Sequence, residues 1–434
     1  MNEHYPPIDN AQVEGWIDDL AAHEQATERI MAMGTAAREP LLHYLQRGPQ
    51  LVSQPRVFAV KMLARLHDVR VPETLRTLLY EHPLHHLSAP LAEAEYRVKD
   101  AVVEAMVLTQ ACATPADIAF AVQSERLPAA VYAAGTMHLA SLGSTLAELL
   151  TDDVLAAPAA TALSNLQPAS VTAVMQALHA WLSPKAETTR TRLGLIRGFS
   201  WLATTSTMCE RALQEQGLQH ASTLVRAAAA LSMYNDVTMP VVSALAHGVL
   251  GSDALLALAC RSRLQKMGEP LFEPIIDALR ANIEEDVYGN RHPAEAGARR
   301  WLLIHLLRQT VMDTERFQQI SADVPADELA AALYRLNAPR IEVLQHAMRH
   351  GDARVRTASI IALGRIDADA TASCLAFLLG DVNHTVRRKA YRTLRRYLMT
   401  RPGEISSFRL SLAAWWRSPR RCLQLLVLSS RPKK

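Results

Sequence analysis

The stretch Ile341-Glu-Val-Leu-Gln-His-Ala-Met348, a break at His350-Gly351-Asp352, and then Val355-Arg356-Thr-Ala358-Ser-Ile-Ile-Ala362-Leu363-Gly364 is followed at once by a second version of itself. That version runs Ala372-Ser-Cys-Leu-Ala-Phe-Leu-Leu379, breaks at Gly380-Asp381, and continues Val386-Arg387-Arg-Lys-Ala390-Tyr-Arg-Thr393-Leu394, so that Val355 and Val386 stand 31 residues apart. Apolar residues recur every three or four positions in each half, the period of an amphipathic helix. Each copy therefore predicts two helices joined by a Gly-Asp turn. Asp352 and Asp381 stand where a side chain would satisfy the free amides of a second helix. Arg356 and Arg387 follow where guanidinium groups would bridge the aspartates of adjacent copies in a ladder. Ala358, Ala362 and Ala390 would let paired helices approach closely, with Leu363 and Leu394 filling the layer between them.

Working outward, the same frame recurs more faintly in Val98-Lys99-Asp-Ala101 running on to Ala105-Met106, in Val225-Arg226-Ala-Ala228 with Leu231, and in Pro55-Arg56-Val-Phe-Ala-Val-Lys-Met-Leu63. Between these, helical stretches alternate with breaks such as Gly34, Gly48-Pro49, His82-Pro83, Thr114-Pro115, Gly143, Pro158, Gly217, Pro240 and Pro339. No alternating strand of useful length is present. The 434 residues are 49% hydrophobic and 21% charged with only 17 Gly, which excludes a disordered or linker-rich chain and favours helix. By length alone the chain would hold two to four ordinary domains. A helix pair cannot bury its apolar face alone, so such units come in stacked arrays.

The pattern of Asp, a short gap, Val-Arg, two residues, Ala, then a closing Ala-Leu-Gly resembles the HEAT-repeat (armadillo-like) superfamily of α-solenoids. The resemblance is carried by residues 341–366 and 371–398 and, more weakly, by the surroundings of Val98 and Val225. It departs from the family pattern at Asn383-His384, which stand where an Asp-Pro turn is usual. The resemblance implies an all-α, right-handed solenoid of roughly ten HEAT-like hairpins over residues 1–400, with 401–434 as a basic C-terminal cap or tail. It also implies a non-catalytic scaffold or adaptor that binds a protein partner on its concave surface.

Met1 to Asn10 has no apolar core, and the longest apolar run near the end, Leu423 to Leu428, is far short of a membrane span. Five scattered cysteines form no CxxC pair, so neither a disulfide framework nor a thiolate zinc site is expected, and each thiol is read as a small apolar core side chain. A cytoplasmic chain is the expectation. The formal net charge of +3 conceals an asymmetry. From Arg387 onward there are 14 Lys and Arg against the single acid Glu404, so the preceding 386 residues carry −10.

Motifs for chemistry are absent. No phosphate loop, nucleophile elbow or HExxH occurs. HEAT-like enzymes that bind a metal pair use repeated His-Glu dipeptides, and this chain has one, His23-Glu24. His82-Pro-Leu-His85-His86, with Glu81 or Glu93, is the one histidine cluster with metal-ligand potential, and its plainer reading is a polar turn. Trp181, Trp201 and Trp301 together with Arg190, Arg192 and Arg197 invite comparison with HEAT-like DNA glycosylases, but no local motif matches. No catalytic residue, cofactor or metal ligand is expected. The segment Ile283 to Pro293, acidic and then basic, reads as an elaborated loop or a solvated insertion.

The basic end is the sharpest feature. A helical projection from Val386 puts Val386, Ala390, Leu394, Tyr397 and Leu398 on an apolar arc and Arg388, Lys389, Arg392, Arg395 and Arg396 on the opposite one. Beyond lie Trp415, Trp416, Arg417, Arg420 and Arg421. Three roles fit this segment. It would dock an acidic protein partner or the acidic body of another copy, contact nucleic acid through phosphates with the indoles stacking on bases, or cap the array with a polar outer face.

Overall fold

The computed structural model describes residues 10–400 apart from 20–22, 67–69, 110–112, 184–187, 207–208, 268–271, 287–292, 310–311, 337–339 and 367–369. The described residues form helices and turns with no strand among them. Contacts gather into two units, residues 1–213 and 214–434. The expected cap at 401–434 lies outside the described residues, and of the segment read as a loop from Ile283 to Pro293, residues 283–286 belong to helix Phe272–Asp286, Pro293 opens helix Pro293–Gln309, and 287–292 lie outside the described residues.

In the second unit the hairpins stack in two layers. One layer runs Phe272–Asp286, Thr314–Asp323, Ile341–Ala347, Ala370–Phe377, each helix packing on the next of the series. The other runs Pro293–Gln309, Ala326–Arg335, Ala353–Leu363, His384–Thr400 in the same way. This next-but-one packing defines an α-solenoid and makes the core a shared interior between neighbours. Val355, Ile360, Ala362, Leu363, Val386, Ala390 and Leu394 are all fully buried. Met239–Leu250 departs from the alternation by packing on four other helices, Thr223–Ser232, Ala254–Lys266, Phe272–Asp286 and Pro293–Gln309. Its nearly all-apolar sequence and its eight buried residues suit a helix covered on most sides.

The Val-Arg pair has a definite task. In three copies the arginine reaches back to the turn before its own helix, where one terminal nitrogen donates to two carbonyls: Arg226 to His220 and Ala221 at 2.8 and 2.9 Å, Arg356 to His350 and Gly351 at 2.7 Å each, and Arg387 to Asp381 and Val382 at 2.7 and 2.8 Å. The guanidinium thus ties down carbonyls that the helix break leaves without partners. Arg356 also makes the expected bridge to the next copy, a bidentate pair with Asp381 at 2.6 and 3.0 Å. Asp352 caps its helix through the Arg354 amide at 2.6 Å. Asp381 does not cap the following helix. Asn383 does so, accepting from the amides of Thr385 and Val386, so the departure from Asp-Pro supplies its own cap.

The first unit shows one such layer in full. Helices His23–Met33, Gln54–Arg65, Ala89–Leu108, Pro128–Thr136, Ala156–Asn165 and Thr189–Thr205 form one continuous series. The inter-repeat bridge persists with different chemistry. Arg56 pairs with Glu95, and Lys99, standing where a Val-Arg copy has arginine, pairs with Glu125 at 3.3 Å. All four side chains are almost fully buried. Pro158 and Gly217, which read as breaks in the sequence, lie within helices Ala156–Asn165 and Arg211–Leu218. Pro158 is tolerated because it occupies the first turn, where no intrahelical N–H bond is lost.

Ala-rich faces bring Pro128–Thr136 unusually close to its neighbour. A Cβ on Gly135 would lie 2.6 Å from the Ala162 Cα and 3.0 Å from its Cβ. Gly135→Val is therefore expected to destabilise by about 1–3 kcal/mol through overpacking against backbone, read as a lower denaturation midpoint. Gly15, where an added Cβ would meet nothing within 4 Å, is the control site.

Candidate docking face

The helix His384–Thr400 carries the expected division of faces. Val386, Ala390 and Leu394 are fully buried and Tyr397 is 8% exposed, while Arg388, Lys389, Arg392, Arg395 and Arg396 are exposed. The side chain of Leu398 lies outside those described. Arg388, Tyr391, Arg392, Arg395 and Arg396, spaced by three and four, line an open hollow of ≈ 430 Å³. Lys389 is exposed but does not line it. No ion pair among the described residues engages Arg388, Lys389, Arg392 or Arg395. Trp415, Trp416, Arg417, Arg420 and Arg421 lie outside the described residues.

The charge of the second unit is sorted by layer, which the linear sequence conceals. Among residues whose side chains are described, the layer starting with Phe272–Asp286 carries six acids (Glu273, Asp277, Glu284, Glu315, Asp323, Glu342) against Arg280 and Arg316. The layer starting with Pro293–Gln309 carries twelve Lys and Arg against Asp327 and Glu328. Such separation concentrates positive potential along one set of helices.

The other sequence candidates resolve differently. Trp201 is core, 5% exposed, with its indole N–H shared between the Ala160 carbonyl and the Ser164 hydroxyl at 3.0 Å each. Arg197 is structural, donating to the carbonyls of Leu150 and Asp152 at 2.9 Å. Trp181 and Arg190 do share a groove of ≈ 470 Å³ with Gln123, Arg126, Thr145 and Glu148. Arg190 there donates to Thr151 at 3.1 Å and faces Asp152 at 3.8 Å. Arg126 holds a left-handed backbone at φ 54°, closing a π-helical turn. The groove is of mixed sign, with Arg126 and Arg190 beside Glu148.

Trp301 stacks on His305 with ring centroids 5.1 Å apart, and Arg261 lies over the same indole at 5.7 Å. His85 and His86 touch edge to face at 4.1 Å, and no group of three metal-ligating side chains occurs among the described residues. Cys260 and Cys374 are buried and Cys209 is half-buried. Burial pushes the Cys260 thiol up to about 12 and that of Cys209 to about 11, so both stay protonated and poorly nucleophilic. Among the described residues no helix is long and apolar enough to cross a membrane.

No protein-family model matches the chain, and no curated protein matches it. Among solved structures, an engineered protein is similar at 16% identity and TM-score 0.29, covering 89% of this chain and 98% of its own. The karyopherin Kap121p, solved bound to the extreme C-terminus of the protein phosphatase Cdc14p, is similar at 14% identity and TM-score 0.37 over 94% of this chain. The match spans 53% of that karyopherin chain, about half its length.

Proposed function

We propose that this protein is a non-catalytic, HEAT-like helical-repeat scaffold that binds a protein partner, and that the exposed face of His384–Thr400 receives an acidic surface of that partner. The observation that carries the reading is the cluster of Arg388, Lys389, Arg392 and Arg395, cations exposed together on one helix face with no ion pair among the described residues. Natural surfaces intersperse opposite charges, and an unneutralised cluster raises encounter rates with an acidic partner. The stacked hairpins support a scaffold role, because surface side chains of such arrays vary without disturbing the shared interior.

An acidic peptide such as oligoglutamate is expected to bind the full chain at low salt. Reversal of Arg388, Arg392 and Arg395 to Glu should weaken that binding by at least about tenfold, since like charges then oppose it. Unchanged affinity in the reversed variant would remove the docking face. Preferential binding of a DNA duplex, with a steep loss on raising salt, would replace it with nucleic-acid recognition.

A further inference from the structure

The positive face extends beyond His384–Thr400. Four successive helices of the basic layer run parallel, as two sets of contacts establish. Near their N-termini, Arg299 meets Glu328 at 3.1 Å and Arg356 meets Asp381 at 2.6 Å. Farther along, Arg365 donates to the Tyr334 carbonyl at 2.5 Å, and Gly364, just past the end of its helix, abuts Thr393, midway along His384–Thr400, so closely that a Cβ would lie 2.7 Å from the threonine methyl. The C-terminal ends of the first three helices and the middle of the fourth therefore line up along one edge. That edge presents Arg308, then Arg335 beside Tyr334, then Arg365, then Arg392 and Arg395, all exposed. No ion pair among the described residues involves any of these arginines.

We infer that this edge is a rail for an extended acidic peptide segment whose carboxylates recur every third residue. The inference rests on the docking-face reading and extends it across three further helices. Neighbouring packed helices lie about 8–10 Å apart, so the rail offers one guanidinium per step of that length. A polyproline II strand advances about 3.1 Å per residue with three residues per turn. Its every-third side chains thus share one face and repeat at about 9 Å, matching the step. From Arg308 to Arg395 is three steps, which a segment of roughly ten residues spans. The adjoining layer, with six described acids against two bases, confines the positive strip to a narrow band. That favours a single extended chain over a duplex. Tyr334, 50% exposed and already under the Arg365 guanidinium at 5.1 Å, offers a flat surface to the proline-like rings between carboxylates.

The test uses the full chain and two labelled peptides, (Glu-Pro-Pro)4 and a second of the same composition with its four glutamates contiguous. Ala at Arg308, Arg335 and Arg365 together should weaken the spaced peptide by about tenfold, from several exposed pairs of modest individual value, and leave the clustered peptide unchanged. Arginine at a helix C-terminus also favours the helix dipole. Lys at the same three positions keeps that contribution and should retain binding, so charge is separated from helix stability. If the alanine variant binds the spaced peptide as the parent does, while reversal at Arg388, Arg392 and Arg395 abolishes it, the rail is overturned and the docking face stands. If neither variant changes binding, the docking face itself fails. Tighter, rail-dependent binding of a single-stranded oligonucleotide, or salt-sensitive self-association that excludes the peptide, would also overturn the inference by naming a different occupant.

Discussion

Glu95→Ala should lower the unfolding free energy by about 3–5 kcal/mol. Arg56 and Glu95 are 1% and 2% exposed and pair across successive helices of one layer. Removing the carboxylate leaves a cation in a dry interior with nothing to balance its lost hydration, and that uncompensated charge costs more than the pair itself contributes. The same reasoning predicts that Arg56→Met combined with Glu95→Leu recovers most of the loss, because a packed apolar pair needs no compensation. The same two helices supply a control. Lys61 and Glu104 pair at 3.6 Å with both side chains more than half exposed, so Lys61→Ala should cost no more than about 1 kcal/mol. Denaturant midpoints of the parent and these three variants decide the matter. Equal losses for Glu95→Ala and Lys61→Ala would show that the Arg56–Glu95 pair is not desolvated in solution.

The second large effect is a dependence on pH carried by His305. It is 5% exposed and stacked on Trp301, and its Nε2 has no hydrogen-bond partner among the described residues. Burial, with the nearby Arg308 adding to it, pushes the imidazole down to about 4. In the unfolded chain it titrates near its ordinary value of about 6.5. Between those values the unfolded state holds a proton that the native state refuses, so stability falls as pH drops from about 6.5 to about 4 and is constant with respect to this group above and below. The full window corresponds to about 3 kcal/mol. His305→Phe, which keeps the stack and removes the titration, should flatten that part of the stability–pH curve relative to the parent. Asp352 does not interfere. Its bonds with Arg354 hold its carboxyl down to about 2, so its stabilising share is present above about pH 4 and is lost only as pH falls from there toward 2. An identical slope between about pH 4 and 6.5 in parent and His305→Phe would show that the imidazole is hydrated.

Much of this architecture is open to a reader of the residues alone. The period of three and four, the Gly-Asp breaks and the Val-Arg pairs specify helical hairpins, because apolar periodicity and capping are local properties of the chain. The two faces of His384–Thr400 are legible for the same reason, since one helix projects its own charges without help from the fold. Local pattern fails where a neighbour decides. Asp381 reads as a cap, but its carboxylate is taken by Arg356 from the preceding repeat, and Asn383 caps instead. Trp201 and Arg197 resemble a groove and are structural, since an indole or guanidinium reads alike in sequence whether it meets solvent or backbone carbonyls.

The helices, their pairing and the positive face of the last described one are thus written in the residues, all set by spacings under about ten residues in an α-helix. Only the tertiary structure decided which charges stand together. Arg308, Arg335 and Arg365 are far apart along the chain, and the helices that carry or precede them pack in succession because alternate helices share a layer. The same stacking sends Glu315, Asp323 and Glu342, which intervene in the chain, to the other layer. A separation of that kind belongs to the packing of hairpins, and no window along the chain contains it.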